Sequence, residues 1–389
     1  MKIAYIGDFI DHGTSLQTAG TSLVILLSEL ENITSIDVYC PKGNKLTEEF
    51  NTPNKVNIIS FYMYNNFISI ARLLSVPWKS YDLVIFNMLP TGFGKSSISN
   101  ATALAIPLLL TKLLKIKNIK IIYHNSVYTN DIKMLGYHSL YDRIRSYFLG
   151  MLEKIIFKNI PTYVFLNLYK ERIDKDIGKN MVHVLNARYL EAIPTVYMNN
   201  LMDREQLEPK KSVIPVILLY GFWGPQKNIE LALSSLRMLM AKGIKFRLII
   251  SGGINTHFPN YKAKFQRLLN YYSDIIDEYL GYVNEKDIIN MFLRADLLIL
   301  PYNTPGGHSG VLEQGIFFKL RIIAIDFPEY REQSEDVCSI AFTRSEDLHK
   351  VLETSLNNLG EKGIIDIKNR VKIVQNNISL IIEGSQLHN

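Results

Sequence analysis

Residues 2–6, 36–40, 56–61, 83–87, 119–123, 162–166 and 181–185 are short runs dominated by Ile, Val, Leu and aromatic side chains, and each is bounded by polar or turn-forming residues. Such runs read as strands. The stretches between them carry apolar positions at a different period. Residues 22–30 form a helix-like run, and residues 142–158 place Ile144, Phe148, Met151, Leu152, Ile155 and Ile156 at helical spacing. Strands that alternate with helices need crossover connections, which make a parallel sheet, so the expected fold class is α/β.

The pattern breaks at residues 198–215, where Asn-Asn, Asp-Arg-Glu and Pro-Lys-Lys precede Pro215, and this polar stretch reads as a linker. A second alternating series follows. Strands are predicted at 216–220, 246–251, 278–281, 297–300 and 322–325, helices at 229–242, 261–272, 285–293 and 311–318, and a helical closing segment at 345–377. The expectation is two doubly wound Rossmann-like domains, 1–205 and 206–389, facing across a cleft. In such sheets ligands bind beyond the carboxyl ends of the strands.

Composition narrows the function classes. A chain of 389 residues with 47% apolar and 21% charged residues is neither disordered nor fibrous. Cys40 and Cys338 form no CxxC pair, which excludes a disulfide scaffold and a Cys-rich zinc site and suits a reducing, cytoplasmic setting. No basic and apolar leader follows Met1. The most lipid-like stretch, 101–114, contains Pro107 and Lys112 and falls short of the about 20 apolar residues a span needs. Five of the six net positive charges come from residues 1–205, with 22 Lys+Arg against 17 Asp+Glu, while 206–389 hold 21 against 20. That surplus is too thin for nucleic-acid binding but suits anionic lipid or phosphate.

Two stretches of the second series carry candidate chemistry. Tyr220-Gly221-Phe222-Trp223-Gly224-Pro225-Gln226-Lys227-Asn228 joins a strand to a helix. A lysine at such a turn can pair with a diphosphate, although a cation at a helix start is locally unfavourable. The second stretch runs from Pro301 to Gln314 and includes Gly306, Gly307, His308, Ser309, Gly310, Val311 and Glu313. Its glycines let the backbone approach a ligand, and the helix start presents free N–H groups to an anion. Glu313, one turn in, can accept from ribose hydroxyls or simply compensate the helix dipole.

The ordered series Gly221, Lys227-Asn228, Ser251-Gly252-Gly253, Gly281-Tyr282-Val283, Ala295-Asp296 and Gly310-Val311-Leu312-Glu313 resembles the C-terminal half of family-4, or group 1, glycosyltransferases of the GT-B fold. The first domain is similar through Gly20, ahead of the predicted first helix, His124-Asn125 and Asn186. The resemblance implies transfer of a hexose from a nucleotide diphosphate sugar to a glycan or lipid-linked glycan acceptor, with retention, and without a metal or other cofactor. It implies Lys227 on the diphosphate and His124 on the donor sugar as the catalytic pair. The amides of Gly307, His308, Ser309, Gly310 and Val311 would cradle the diphosphate, Glu313 would hold the ribose, and Gly253, Tyr282 and Val283 would take the base, with Gly20 and Gly221 completing the donor site.

Two departures from the family pattern stand out. Phe222 occupies a position where the family commonly carries an arginine for the diphosphate, and Pro305 one where it carries a glutamate for the donor sugar. His308 or Ser309 could partly substitute for the latter. These departures keep a second expectation open, a non-catalytic GT-B-shaped nucleotide-sugar-binding or scaffold subunit.

Other motifs have blander readings. Gly92-Phe93-Gly94-Lys95-Ser96-Ser97 resembles the end of a P-loop, but Leu89 stands where its first glycine is required. Asp174-Lys175-Asp176 lies among Lys170, Glu171 and Arg172 on a predicted solvated helix. The run 142–158 combines Arg143, Arg145, Lys154 and Lys158 with Phe148, Leu149, Leu152 and Phe157. That composition fits peripheral contact with the cytoplasmic membrane face, and equally a crossover helix whose apolar stripe packs on the sheet.

Overall fold

The structure is a computed structural model that describes residues 1–8, 15–42, 53–89, 92–94, 96–126, 139–185, 214–255, 258–283, 285–305, 307–337, 340–358, 378 and 381–382. The chain divides into two compact units. One comprises residues 1–133, 137–199 and 368–389, the other residues 134–136 and 200–367.

The first unit is built on β1 (Lys2–Ile6), β2 (Ser35–Pro41), β3 (Val56–Tyr62), β4 (Leu83–Met88), β5 (Ile119–Tyr123), β6 (Thr162–Val164) and β7 (Val182–Val184). Their order in the sheet is β3-β2-β1-β4-β5-β6-β7, all parallel. Every residue of β4 and β5 is buried, as a parallel sheet covered on both faces requires. Helices Ser15–Glu29, Ser97–Lys112, Leu140–Asn159 and Asn167–Ile177 make crossovers. The first begins well before the predicted 22–30, so Gly20 lies inside the helix and not ahead of it. Helix Ser97–Lys112 has no clear counterpart in the hydrophobic pattern because it is apolar on nearly every side, with Ala103, Leu104, Ile106 and Leu110 all buried.

The second unit holds β8 (Val216–Tyr220), β9 (Arg247–Ser251), β10 (Glu278–Gly281), β11 (Leu297–Leu300), β12 (Arg321–Ile325) and β13 (Ile340–Thr343). Their order is β10-β9-β8-β11-β12-β13, again parallel. The chain winds outward from β8 in one direction and then from β11 in the other, so the strand order reverses between these two. Helices Ile229–Ala241, Tyr261–Tyr271, Glu285–Arg294 and Gly310–Phe317 connect the strands. Close helix packing at the sheet centre needs Gly315, where a Cβ would lie 2.5 Å from Leu298 Cδ2. Edge strand β13 escapes the pattern because only Thr343 of its four residues is fully buried.

One expected boundary needs correction. Residues 368–389 belong to the first unit, not to a domain running from 206 to 389. Ile378, Ile381 and Ile382 are buried, and the Lys120 ammonium donates to the Ile381 carbonyl. Burying three isoleucines offsets the cost of returning the chain, at about 1.5–3 kcal/mol for each. The expected linker and the 205/206 boundary lie outside the described residues. Among the described residues, no helix is long and apolar enough to cross a membrane.

Candidate functional site

The reversal of strand order between β8 and β11 brings together the loops that follow them. Gly221 leaves β8 at φ +142°, a conformation that side chains avoid. Next to it Gly252, at φ +117°, passes so close that a Cβ there would collide with the Gly221 carbonyl. The chain then makes a 3-10 turn, Pro225–Lys227, and Asn228 enters helix Ile229–Ala241 in the left-handed region at φ 43°. Asn303 in the loop after β11 ties the two loops together. Its N–H donates to the Gln226 carbonyl at 2.9 Å, and its side-chain amide donates to the Pro225 carbonyl at 3.2 Å.

This geometry holds Lys227 over the face of Tyr302, with Nζ 3.6 Å from the ring centroid. Among the described residues the ammonium has no carboxylate and no hydrogen-bond acceptor. Desolvation pushes its pKa down to about 7. Tyr302 is 2% exposed and its hydroxyl is buried without a partner among the described residues. A Cβ on Gly221 would lie 3.8 Å from Tyr302 Oη, 3.8 Å from Val311 Cγ2 and 3.9 Å from Lys227 Cε, so all four residues converge on one spot. A cation without a counter-charge and an unmet hydroxyl in one place are the complement of an anion with several oxygens.

Helix Gly310–Phe317 opens on this spot. Ser309 caps it, its Oγ accepting from the Leu312 N–H at 3.3 Å. The N–H groups of Gly310 and Val311 are left without acceptors among the described residues, and the helix dipole adds partial positive charge there. Gly307, at φ +107°, makes the turn that leads in.

The remaining expected loop residues turn inward. Gln333 accepts from the Ser309 N–H at 3.0 Å and donates to the Ser309 carbonyl at 2.9 Å and to Glu313 Oε1 at 2.8 Å. His308 Nε2 lies 3.3 Å from the same carboxylate oxygen, with both side chains buried. Glu313, wholly buried, anchors the loop from beneath through Oε1. His308 and Ser309 are likewise buried and in contact with neighbours within the protein.

Beside the anion spot, Gly253 lies between two rings. A Cβ there would be 3.7 Å from Tyr282 and 3.9 Å from Phe222, whose ring centroids are 6.4 Å apart. Tyr282 is half exposed, and Val283 follows it half-buried. Phe222, conspicuous in the sequence only as a missing arginine, thus provides an aromatic wall.

His124 and Gly20 form a separate cluster in the first unit, at the carboxyl ends of β1, β4 and β5. His124 is buried, its Nε2 2.6 Å from Asn87 Oδ1 and its ring 4.8 Å from Phe165. Gly20 lets helix Ser15–Glu29 press on Tyr5 and on the Asp8 carbonyl, which a Cβ would meet. The phosphate-loop lookalike is used internally. Asn65 fills the space beside Gly94 and accepts from the Ser96 N–H at 3.0 Å, while Asn100 donates to the Gly94 carbonyl at 2.9 Å. Asp174 pairs with Lys170 at 2.7 Å on a solvated helix face, as expected. Asn186 lies outside the described residues.

Tyr302 and Gln333 are the site residues the sequence left without a role. Tyr302 stood inside the glycine-rich stretch but carried no signal of its own, and Gln333 reaches the loop only through the fold.

No protein-family model and no curated protein matches the sequence. Solved structures do match the whole chain. Sucrose-phosphate synthase from Thermosynechococcus elongatus superposes with a TM-score of 0.65 at 12% identity, covering 100% of this chain and 98% of that one. HepE of Anabaena, solved in complex with UDP-glucose, gives 0.62 at 11% identity, covering 98% and 95%. UDP-GlcNAc 2-epimerase from Neisseria meningitidis, bound to UDP-GlcNAc, gives 0.59 at 12% identity, covering 100% of both chains. At these identities the likeness establishes the fold, which is GT-B, with two doubly wound α/β units.

Proposed function

We propose that the protein is a glycosyltransferase that moves a hexose from a nucleotide diphosphate sugar to a glycan or lipid-linked glycan. The observation that carries this reading is the Lys227 ammonium, partly desolvated, with no carboxylate partner among the described residues, and set beside the open N-terminus of helix Gly310–Phe317. Cleavage of the glycosidic bond to a diphosphate develops negative charge on the leaving oxygens. Lys227 and the Gly310 and Val311 amides meet that charge without reorganising, which favours the transition state over the ground state. Pairing raises the lysine pKa, so the bound diphosphate holds the ammonium charged. Tyr302 supports the ammonium from below and offers its hydroxyl to a phosphate oxygen. The Phe222 and Tyr282 rings over Gly253 suit a nucleobase, which needs flat apolar walls.

In this reading protein groups balance the leaving charge without a metal, and transfer proceeds with retention. The GT-B fold also hosts other chemistry, and Phe222 and Pro305 favour a second reading, in which the donor is bound and not turned over.

The test is thermal unfolding of the purified protein with a panel of nucleoside diphosphates, followed by sugar release from the matching donor. One diphosphate at about 100 times its Kd is expected to stabilise the protein by about 2.7 kcal/mol. Lys227→Ala is expected to abolish that stabilisation together with sugar release. Full activity in Lys227→Ala would remove the lysine from the mechanism, and stabilisation without sugar release or transfer would establish the binding-subunit reading.

A further inference from the structure

Helix Leu140–Asn159 presents two apolar faces. Leu149, Ile156 and Phe157 are buried against the sheet, as a crossover helix requires. Leu140, Tyr141, Ile144, Tyr147, Phe148, Met151 and Ile155 are 44–71% exposed. At roughly 100° per residue these seven fall within a continuous arc of about 120°, along roughly 22 Å of helix. The patch continues onto a second element, because Tyr141 Oη lies 2.6 Å from Ser97 Oγ and the next residue, Ile98, is 62% exposed. Monomeric proteins rarely show a contiguous apolar surface of this extent unless something covers it.

The charges around the stripe identify the cover. Arg143, Lys154 and Lys158 are exposed, and the helical positions of Arg143 and Lys154 put them along one margin. Both carboxylates of the helix are engaged elsewhere. Asp142 closes the capping box with Ser139, while Glu153 is buried and accepts from Tyr123 and Ser126 at 2.7 Å each. An apolar stripe with three cations and no exposed carboxylate is complementary to an anionic surface. A second copy meets this face poorly, since two-fold pairing would set the stripe and its cations against the same cations. Aromatic and aliphatic side chains edged by Lys and Arg match the boundary between lipid headgroups and acyl chains.

We infer that this helix docks the protein on an anionic bilayer, lying in the plane of the interface with Tyr147, Phe148, Met151 and Ile155 inserted and Arg143, Lys154 and Lys158 among the headgroups. The inference is independent of the donor site, which lies in the other unit. The experiment is co-sedimentation of the full chain with vesicles of phosphatidylcholine alone or with roughly 30 mol% phosphatidylglycerol. Sedimentation velocity without lipid is run in parallel. The wild type is expected to be monomeric and to bind the anionic vesicles at least about tenfold more tightly than the neutral ones. Phe148→Ser with Ile155→Ser, and separately Arg143→Glu with Lys154→Glu, each weaken that binding by at least about tenfold. Because all four positions are exposed, both variants keep the wild-type unfolding temperature. The inference is overturned if anionic vesicles do not bind the protein or if the variants bind as well as the wild type. A dimer that the Phe148→Ser, Ile155→Ser variant dissolves would also overturn it, by making the face a self-association surface.

Discussion

A lysine partly withdrawn from water, with no counter-charge among the described residues, is under opposite pressures in the free and bound states. In the unfolded chain its pKa is about 10.4. Folding lowers it to about 7. Between these values the unfolded chain binds more protons, so the stability linked to this group rises with pH over that window and is lowest below pH 7. Diphosphate binding runs the other way, because the complex keeps the proton that the free protein has begun to lose. Affinity for the nucleoside diphosphate is therefore expected to fall by about tenfold per pH unit above 7. Calorimetric titration between pH 6.5 and 9 measures this slope. Lys227→Met is expected to bind weakly with a flat profile, and to unfold at a higher temperature than the wild type when no ligand is present.

At the scale of elements, the anion site depends on how firmly the start of helix Gly310–Phe317 is held, and Gln333 holds it through three hydrogen bonds. Gln333→Leu leaves a buried N–H, a carbonyl and a carboxylate oxygen short of partners. The expected cost is about 2–3 kcal/mol in urea unfolding, with weaker diphosphate binding. Legibility in the sequence followed the range of the interactions. Strands β1, β5, β8, β10 and β11 have the bounds their apolar runs predict, and Gly221, Lys227 and Gly310 announce themselves because turn and cap chemistry is local. The stacking of Lys227 on Tyr302 and the bonds from Gln333 to Ser309 join residues from different loops, and nothing in either segment alone encodes them. The second apolar face of helix Leu140–Asn159 was hidden for another reason. A stripe turned to the sheet and a stripe turned outward produce the same helical period, and only their burial separates them.

For the whole molecule, the two units have separate cores, one running from Ala4 to Val182 and the other from Ile217 to Leu356. Ile381→Asp places a charge among buried side chains of the first unit and is expected to cost it about 3–5 kcal/mol. Scanning calorimetry should show the first unit melting earlier, while a nucleoside diphosphate still shifts the transition of the second unit. The return of residues 368–389 also fixes an order of assembly. As the chain emerges from the ribosome, the second unit is made in full before the last piece of the first, so the earlier-made part must wait with a groove open where Ile378, Ile381 and Ile382 will sit. A nascent-chain holding factor has its longest window there, and a cut between the units after residue 199 would separate the first unit from part of its own interior.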